Sequence, residues 1–175
     1  MKPRYLVLTL VLALAALVLG ALPATSVATV QLNTYEQQLL KQINHERAAH
    51  NLPKLHLQAK LVASAQDHAA DMGANKYFEH DSLAGESWST RIMRHGYTRD
   101  GFRVWKAGEN IAWGAGLYSS PVYIVDCWMQ SPPHRAVLLS KDFRDIGVGA
   151  ASTEGYGSID GMVWFFTVDL GRRCK

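Results

Sequence analysis

Apolar residues follow three spacings along this chain. From residue 6 to 22 they run continuously, without a charge, and from Leu39 they recur every third or fourth position. Asn33 stands three residues before Glu36 and just ahead of Leu39, Leu40 and Ile43. That order predicts a helix start, since the asparagine side chain accepts from a first-turn amide while the glutamate reaches back to the cap. The spacing continues to Ala48, and Asn51-Leu52-Pro53 stops it. A second helix is predicted over 58–75, with Leu61, Ala65, His68, Ala69 and Met72 on one stripe. His68 on such a stripe reads as a packing histidine. A short helix over 89–93 ends at Gly96, and Pro121 opens another that runs to residue 130, where Ser131-Pro132-Pro133 ends it. Toward the C-terminus the period changes. Residues 145–150 and 162–170 are β-branched and aromatic runs around Gly155, Gly157 and Gly161, which predicts an antiparallel strand pair. Helices before strands, with no internal repeat, indicate one α+β domain with a small antiparallel sheet.

The continuous stretch has a different meaning. Lys2 and Arg4 precede it and Ser26-Val27-Ala28 follows it, which is the order of a secretory signal peptide cleaved after Ala28. The alternative is an uncleaved anchor, because the run of 17 residues reaches the lower limit of roughly 17–25 for a spanning helix. Cleavage gives a signal peptide over 1–28 and a domain over 29–175, secreted or periplasmic, with no membrane span after processing. Losing Lys2 and Arg4 lowers the net charge from +3 to +1, and the remaining basic residues are scattered. Nucleic acid is therefore excluded as a partner. In an oxidising compartment Cys127 and Cys174 are expected to form a disulfide; the other reading leaves Cys127 a buried thiol and Cys174 a tail residue.

Candidate chemistry gathers in three separated segments. Glu109 follows Gly108 and precedes the short apolar segment Ile111-Ala112-Trp113; His80 follows Tyr77-Phe78-Glu79; His134 follows Ser131-Pro132-Pro133. All three are expected in loops, where functional groups concentrate. Two imidazoles and a carboxylate can hold zinc or another divalent ion and leave a position for water. Without metal the same trio is a hydrogen-bonded cluster in which the glutamate fixes the histidine tautomers. Glu86 is the reserve acid. By contrast, His45 and His50 are five residues apart, about 140° around a helix, and cannot share a metal. Hydrolase signatures are missing: no serine has a Gly-x-Ser-x-Gly elbow, and Cys127, on an apolar helix, is poorly placed to ionise beside His134.

Taken in order, Tyr77-Phe78-Glu79-His80, Gly108-Glu109-Asn110-Ile111-Ala112, Trp128-x-x-Ser131-Pro132-x-His134-Arg135 and Ile146-Gly147-Val148-Gly149 resemble the CAP superfamily of cysteine-rich secretory, antigen 5 and pathogenesis-related proteins, in its secreted bacterial branch. The resemblance covers roughly residues 32–171. It implies a three-layer α-β-α sandwich and a cleft tetrad of two histidines and two acids. His80, Glu109 and His134 match three of these, and Ser131 takes the fourth position, where better-known eukaryotic members carry glutamate. The family's associations are lipid or sterol binding, extracellular signalling or defence, and in some members proposed proteolysis. The expected function is thus an exported domain whose cleft (His80, Glu109, Ser131, His134) binds a small or lipid-like ligand of the cell exterior or envelope, or a divalent metal through His80, Glu109 and His134. The alternative is a metal-dependent hydrolase of peptide or envelope material, which requires a free general base.

Overall fold

The predicted capping box at Asn33 forms in full. In the computed structural model, which describes residues 30–175, the Glu36 amide donates to the Asn33 side chain (3.0 Å) and the Asn33 amide donates to Glu36 (2.8 Å). The expected signal segment lies outside the described residues. Helix α1 (Thr34–Ala49) leads to a short strand β1 (His56–Leu57), then α2 (Ala59–Asn75) and α3 (Trp88–Arg94). Strand β2 (Val104–Ala115) follows, then α4 (Pro121–Gln130), α5 (Pro132–Leu138), β3 (Asp145–Tyr156) and β4 (Ile159–Cys174). No helix among the described residues is long and apolar enough to cross a membrane.

The strands form one sheet in the order β1-β3-β4-β2, antiparallel except for β1 with β3. Strand β4 is central, and its alternation divides the core. Phe166, Val168 and Leu170 pack with Leu39 and Ile43 of α1 and Ile124, Val125 and Trp128 of α4. Phe165 packs on the other face with Met72 of α2, and the two-residue period puts Thr167 and Asp169 there too. The result is the expected α-β-α sandwich.

Helix α2 lies against the sheet unusually closely, because the positions of β3 beneath it are glycines. Register places Gly147 opposite Asp169 and Gly149 opposite Thr167. A Cβ added at Gly147 would overlap the Leu61 carbonyl, and one at Gly149 the Ala65 carbonyl. This approach presses the fully buried Ser64 and His68 onto the polar residues of β4.

Three expectations need correction. Glu109 is not in a loop; it lies inside β2, a strand that the sequence pattern hides because Glu109 and Asn110 are both buried and interrupt the alternation. His134 is also not in a loop, since Ser131-Pro132-Pro133 ends α4 and simultaneously opens α5, with proline in its favoured first-turn position. Finally, Cys127 and Cys174 are both free, and Cys127 is exposed and not buried. Trp128, beside Cys127, donates its indole N–H to the Ile111 carbonyl (3.0 Å), whereas Cys174 pairs with Val104 at the far end of β2. The seven-residue offset along β2 corresponds to about 23 Å at strand rise. A disulfide needs Cα atoms within about 7 Å.

Gly147→Ala is expected to destabilise the protein by on the order of 3 kcal/mol, because backbone and not a flexible side chain must yield. Urea unfolding checks this. A loss below about 0.5 kcal/mol, the range of ordinary surface changes, would show that α2 does not rest on β3 so closely.

Candidate functional site

Among the described residues strand β2 pairs only with β4, so its other side is a sheet edge there, and the cleft is built along that edge. Gly108 and Glu109 form its floor, Glu79, His80, Asp81 and Trp88 one wall, and Val137 of α5 the other. The cleft has a volume of about 480 Å³. Residues from both outer layers therefore meet over one strand.

Glu109 is 7% exposed, and both its oxygens are engaged. Its Oε1 accepts from His80 Nδ1 (2.7 Å), and its Oε2 pairs with the guanidinium of Arg91, itself 2% exposed. Arg91 comes from α3 and does a second job: its Nη1 donates to the His80 carbonyl (3.2 Å). One residue earlier, the Glu79 carbonyl lies 2.9 Å from His68 Nε2 of α2. Two buried side chains thus fasten consecutive carbonyls of the loop that carries His80. The sequence expectation for His68 as a packing histidine holds.

The His80 ring is about half exposed, at 48%, and its Nε2 meets no hydrogen-bonding partner among the described residues. The hydrogen bond to Glu109 raises the His80 pKa above its ordinary value, with burial opposing and the Glu109 charge adding to the rise. His134 titrates in the opposite direction: burial lowers it, and the neighbouring charge of His80 lowers it further. Its Nδ1 lies 2.8 Å from Ser131 Oγ, and its carbonyl accepts from Asn110 Nδ2 (3.0 Å). The structure therefore brings His80 together with Glu109, and Ser131 together with His134, on the two sides of the β2 edge.

Similarity to known proteins shows the family and the fold. The Cysteine-rich secretory protein (CAP) family model matches residues 40–170, which include every residue of the cleft. The chain belongs to the CAP family. It is similar to YkwD of Bacillus subtilis (strain 168), with 32% identity over 125 residues, covering 71% of this chain and 46% of YkwD. It is 35% identical over 116 residues to the membrane protein YlbC of the same organism, covering 66% of this chain and 31% of YlbC. The CAP chain thus spans less than half the length of these curated relatives. Among solved structures it is similar to an extracellular protein containing an SCP domain from Bacillus anthracis str. Ames, with a TM-score of 0.61 and 29% identity, covering 84% of this chain and 45% of that one. An outer surface protein from Borrelia burgdorferi shares the fold, with a TM-score of 0.61 and 24% identity over 81% of this chain and 96% of that one.

The donor set does not fit a three-ligand metal centre. The Glu109 charge is already answered by Arg91 and His80, so a cation drawing on it would sit against the buried guanidinium, and no group of three or more His, Cys, Asp or Glu among the described residues is placed to hold an ion. Glu86, the reserve acid, lies outside the cleft. It accepts from Arg94 Nε (2.8 Å) and Nη2 (2.9 Å) in an adjoining depression with Asp67, and the guanidinium holds its carboxyl below the usual range.

Two residues of this CAP site escape a sequence reading. Arg91 sits in a short helix with no local sign that its charge is buried. Asp169 leaves a sign, since it is the one acid in the apolar run 162–170.

Because the folded-state pKa of His80 is raised, its contribution to stability is complete below the ordinary histidine value near 6.5 and is lost as pH rises through the raised value. Glu109→Gln should remove that behaviour and return the His80 midpoint, followed by proton NMR, to its ordinary value or below. A midpoint unchanged in Glu109→Gln would mean that the hydrogen bond is not what raises it.

Proposed function

We propose that this CAP domain acts outside the cytoplasm by binding a small or lipid-like molecule in the cleft over β2, with His80 as its polar contact. One observation carries this: the only acid in the cleft floor, Glu109, is already neutralised from inside by Arg91 and His80. It holds His80 in place, and His80 Nε2 remains to donate to an oxygen acceptor. Trp88, Ala107 and Val137 supply apolar surface beside it. A volume of about 480 Å³ falls within the roughly 300–1,000 Å³ of small-molecule sites. The fitting ligand has an oxygen acceptor on an apolar body, and the exposed Glu79 and Asp81 at the rim disfavour a strongly anionic one.

An extracellular role is supported by the charged start, apolar run and small-residue site of residues 1–28, and by similarity to an extracellular SCP-domain protein. The two acids that the sequence offered as a base for hydrolysis, Glu109 and Glu86, are both held by arginines.

Native mass spectrometry of protein purified from its own host is the test. The expected result is an adduct of lipid-like mass that His80→Ala weakens about ten- to a hundredfold, as for loss of a charge-assisted hydrogen bond of roughly 1.5–3 kcal/mol. Protein that carries no adduct and binds nothing from the host's envelope lipid extract would refute the reading. A zinc adduct lost in both His80→Ala and His134→Ala would replace it with metal binding.

A further inference from the structure

Beneath Glu109 lies a carboxyl group that the cleft does not use. Asp169 stands opposite Glu109 in the β2–β4 register and opposite Gly147 in the β3–β4 register, on the face covered by α2. It is completely buried, and neither of its oxygens has a hydrogen-bond donor. A buried carboxylate left without donors is costly enough that such groups normally neutralise instead.

The groups around it leave little else to neutralise it. Strand β2 contributes Glu109, α3 contributes Arg91, α2 contributes Ser64 and His68, and β3 contributes only the bare Gly147. Arg91 is committed to Glu109 and to the His80 carbonyl. His68 is uncharged: its Nε2 faces the Glu79 carbonyl and so carries the proton, and burial lowers its pKa. The charge of His80 lies on the far side of Glu109, where half the ring meets water. Within the dry part of the cluster there are two carboxyl groups and one guanidinium, and the charges close with one added proton.

The two carboxyl groups are direct cross-strand neighbours, a relation that places Cβ atoms about 4.5–5.5 Å apart. Carboxyl groups this close share a proton instead of both ionising. Glu109 receives two donors from elsewhere, whereas Asp169 has the Ser64 hydroxyl nearby and no donor within hydrogen-bond distance, so the proton belongs on Asp169. We propose that Asp169 and Glu109 form a buried acid–carboxylate pair in which Asp169 donates its O–H to Glu109 and so holds that side chain toward His80. Asp169 is a positioning residue, acting through Glu109. Burial, and next the charge of Glu109, hold the Asp169 carboxyl well above the usual carboxylate range, in agreement with this arrangement. The pair belongs to the fold and stands whether or not the cleft takes a ligand.

The test uses infrared spectroscopy and NMR on the purified protein near pH 7. With aspartate side chains labelled in their carboxyl carbon, the protein should show a protonated-carboxyl stretch that the label shifts, and Asp169→Asn should delete it. In that variant a neutral amide replaces a neutral acid and can still donate to Glu109, so the His80 midpoint should stay where it is. Asp169→Asn should also gain stability relative to the parent as pH rises above the ordinary aspartate value, because only the parent must then hold a proton that its unfolded chain has lost. The proposal is overturned if the labelled parent shows no protonated aspartate, a result that needs no variant to fold. A fall of about one pH unit or more in the His80 midpoint of Asp169→Asn would also overturn it, since that is the mark of a lost negative charge.

Discussion

The ion pair between Arg91 and Glu109 is the constraint on which the rest of this site depends. Both side chains are almost completely withdrawn from water, and a carboxylate inside an edge strand would otherwise oppose folding. Arg91 answers it from a different layer, which fixes α3 against β2. The same guanidinium holds the His80 carbonyl, so one buried cation sets the strand, the helix and the loop relative to one another. His80 inherits its orientation from this core: its Nδ1 is taken up by Glu109 and its other nitrogen is turned to the cleft. The exposed chemistry of the protein is small because most of the charge in this region is engaged in holding the structure.

A second constraint is the absence of side chains under α2. Gly147 and Gly149 let the helix backbone approach the sheet, and the surface it meets on β4 is polar, with Thr167 and Asp169 facing Ser64 and His68. Close packing there brings His68 within reach of the Glu79 carbonyl, the second fastening of the His80 loop. Hydrophobic contacts dominate the opposite face, where α1 and α4 cover Phe166, Val168 and Leu170. One face of the sheet thus carries the larger apolar cluster, and the other joins a smaller one around Met72 and Phe165 to the polar frame of the cleft. Helix α5 joins the two at the β2 edge, bringing Val137 and the Ser131–His134 pair.

Much of the fold was legible in local signals. The Asn33–Glu36 box, the stripe of α2, Pro121 before α4 and the glycine turn before β4 each acts over a few residues, and each produces the element it indicates. Strand β2 was not legible, because its buried Glu109 and Asn110 are satisfied by Arg91 and by the His134 carbonyl, partners distant in sequence. The same reason explains the misplaced setting of His134: two prolines that end one helix can begin the next. His80 and Glu109 could be picked out as one site from the residue pattern, and they do touch. Their combination into a metal trio does not suit the donor set found here, because Glu109 is paired with Arg91, whose burial no local pattern announces. The expected disulfide failed on sheet register, which sets Cys174 against Val104 while α4 packs farther along the strand.

A double-mutant cycle on Arg91 and Glu109, with stability read from urea unfolding near neutral pH, measures how far the two charges answer each other. Removing either partner leaves a buried charge unanswered, at a cost of about 3–5 kcal/mol. Arg91→Met and Glu109→Gln are each expected to cost this much, and the double variant to cost less than their sum by about 2 kcal/mol or more. Costs that add to within about 0.5 kcal/mol would contradict that expectation, because the two charges would then be answered separately and the cleft would not hang on one ion pair.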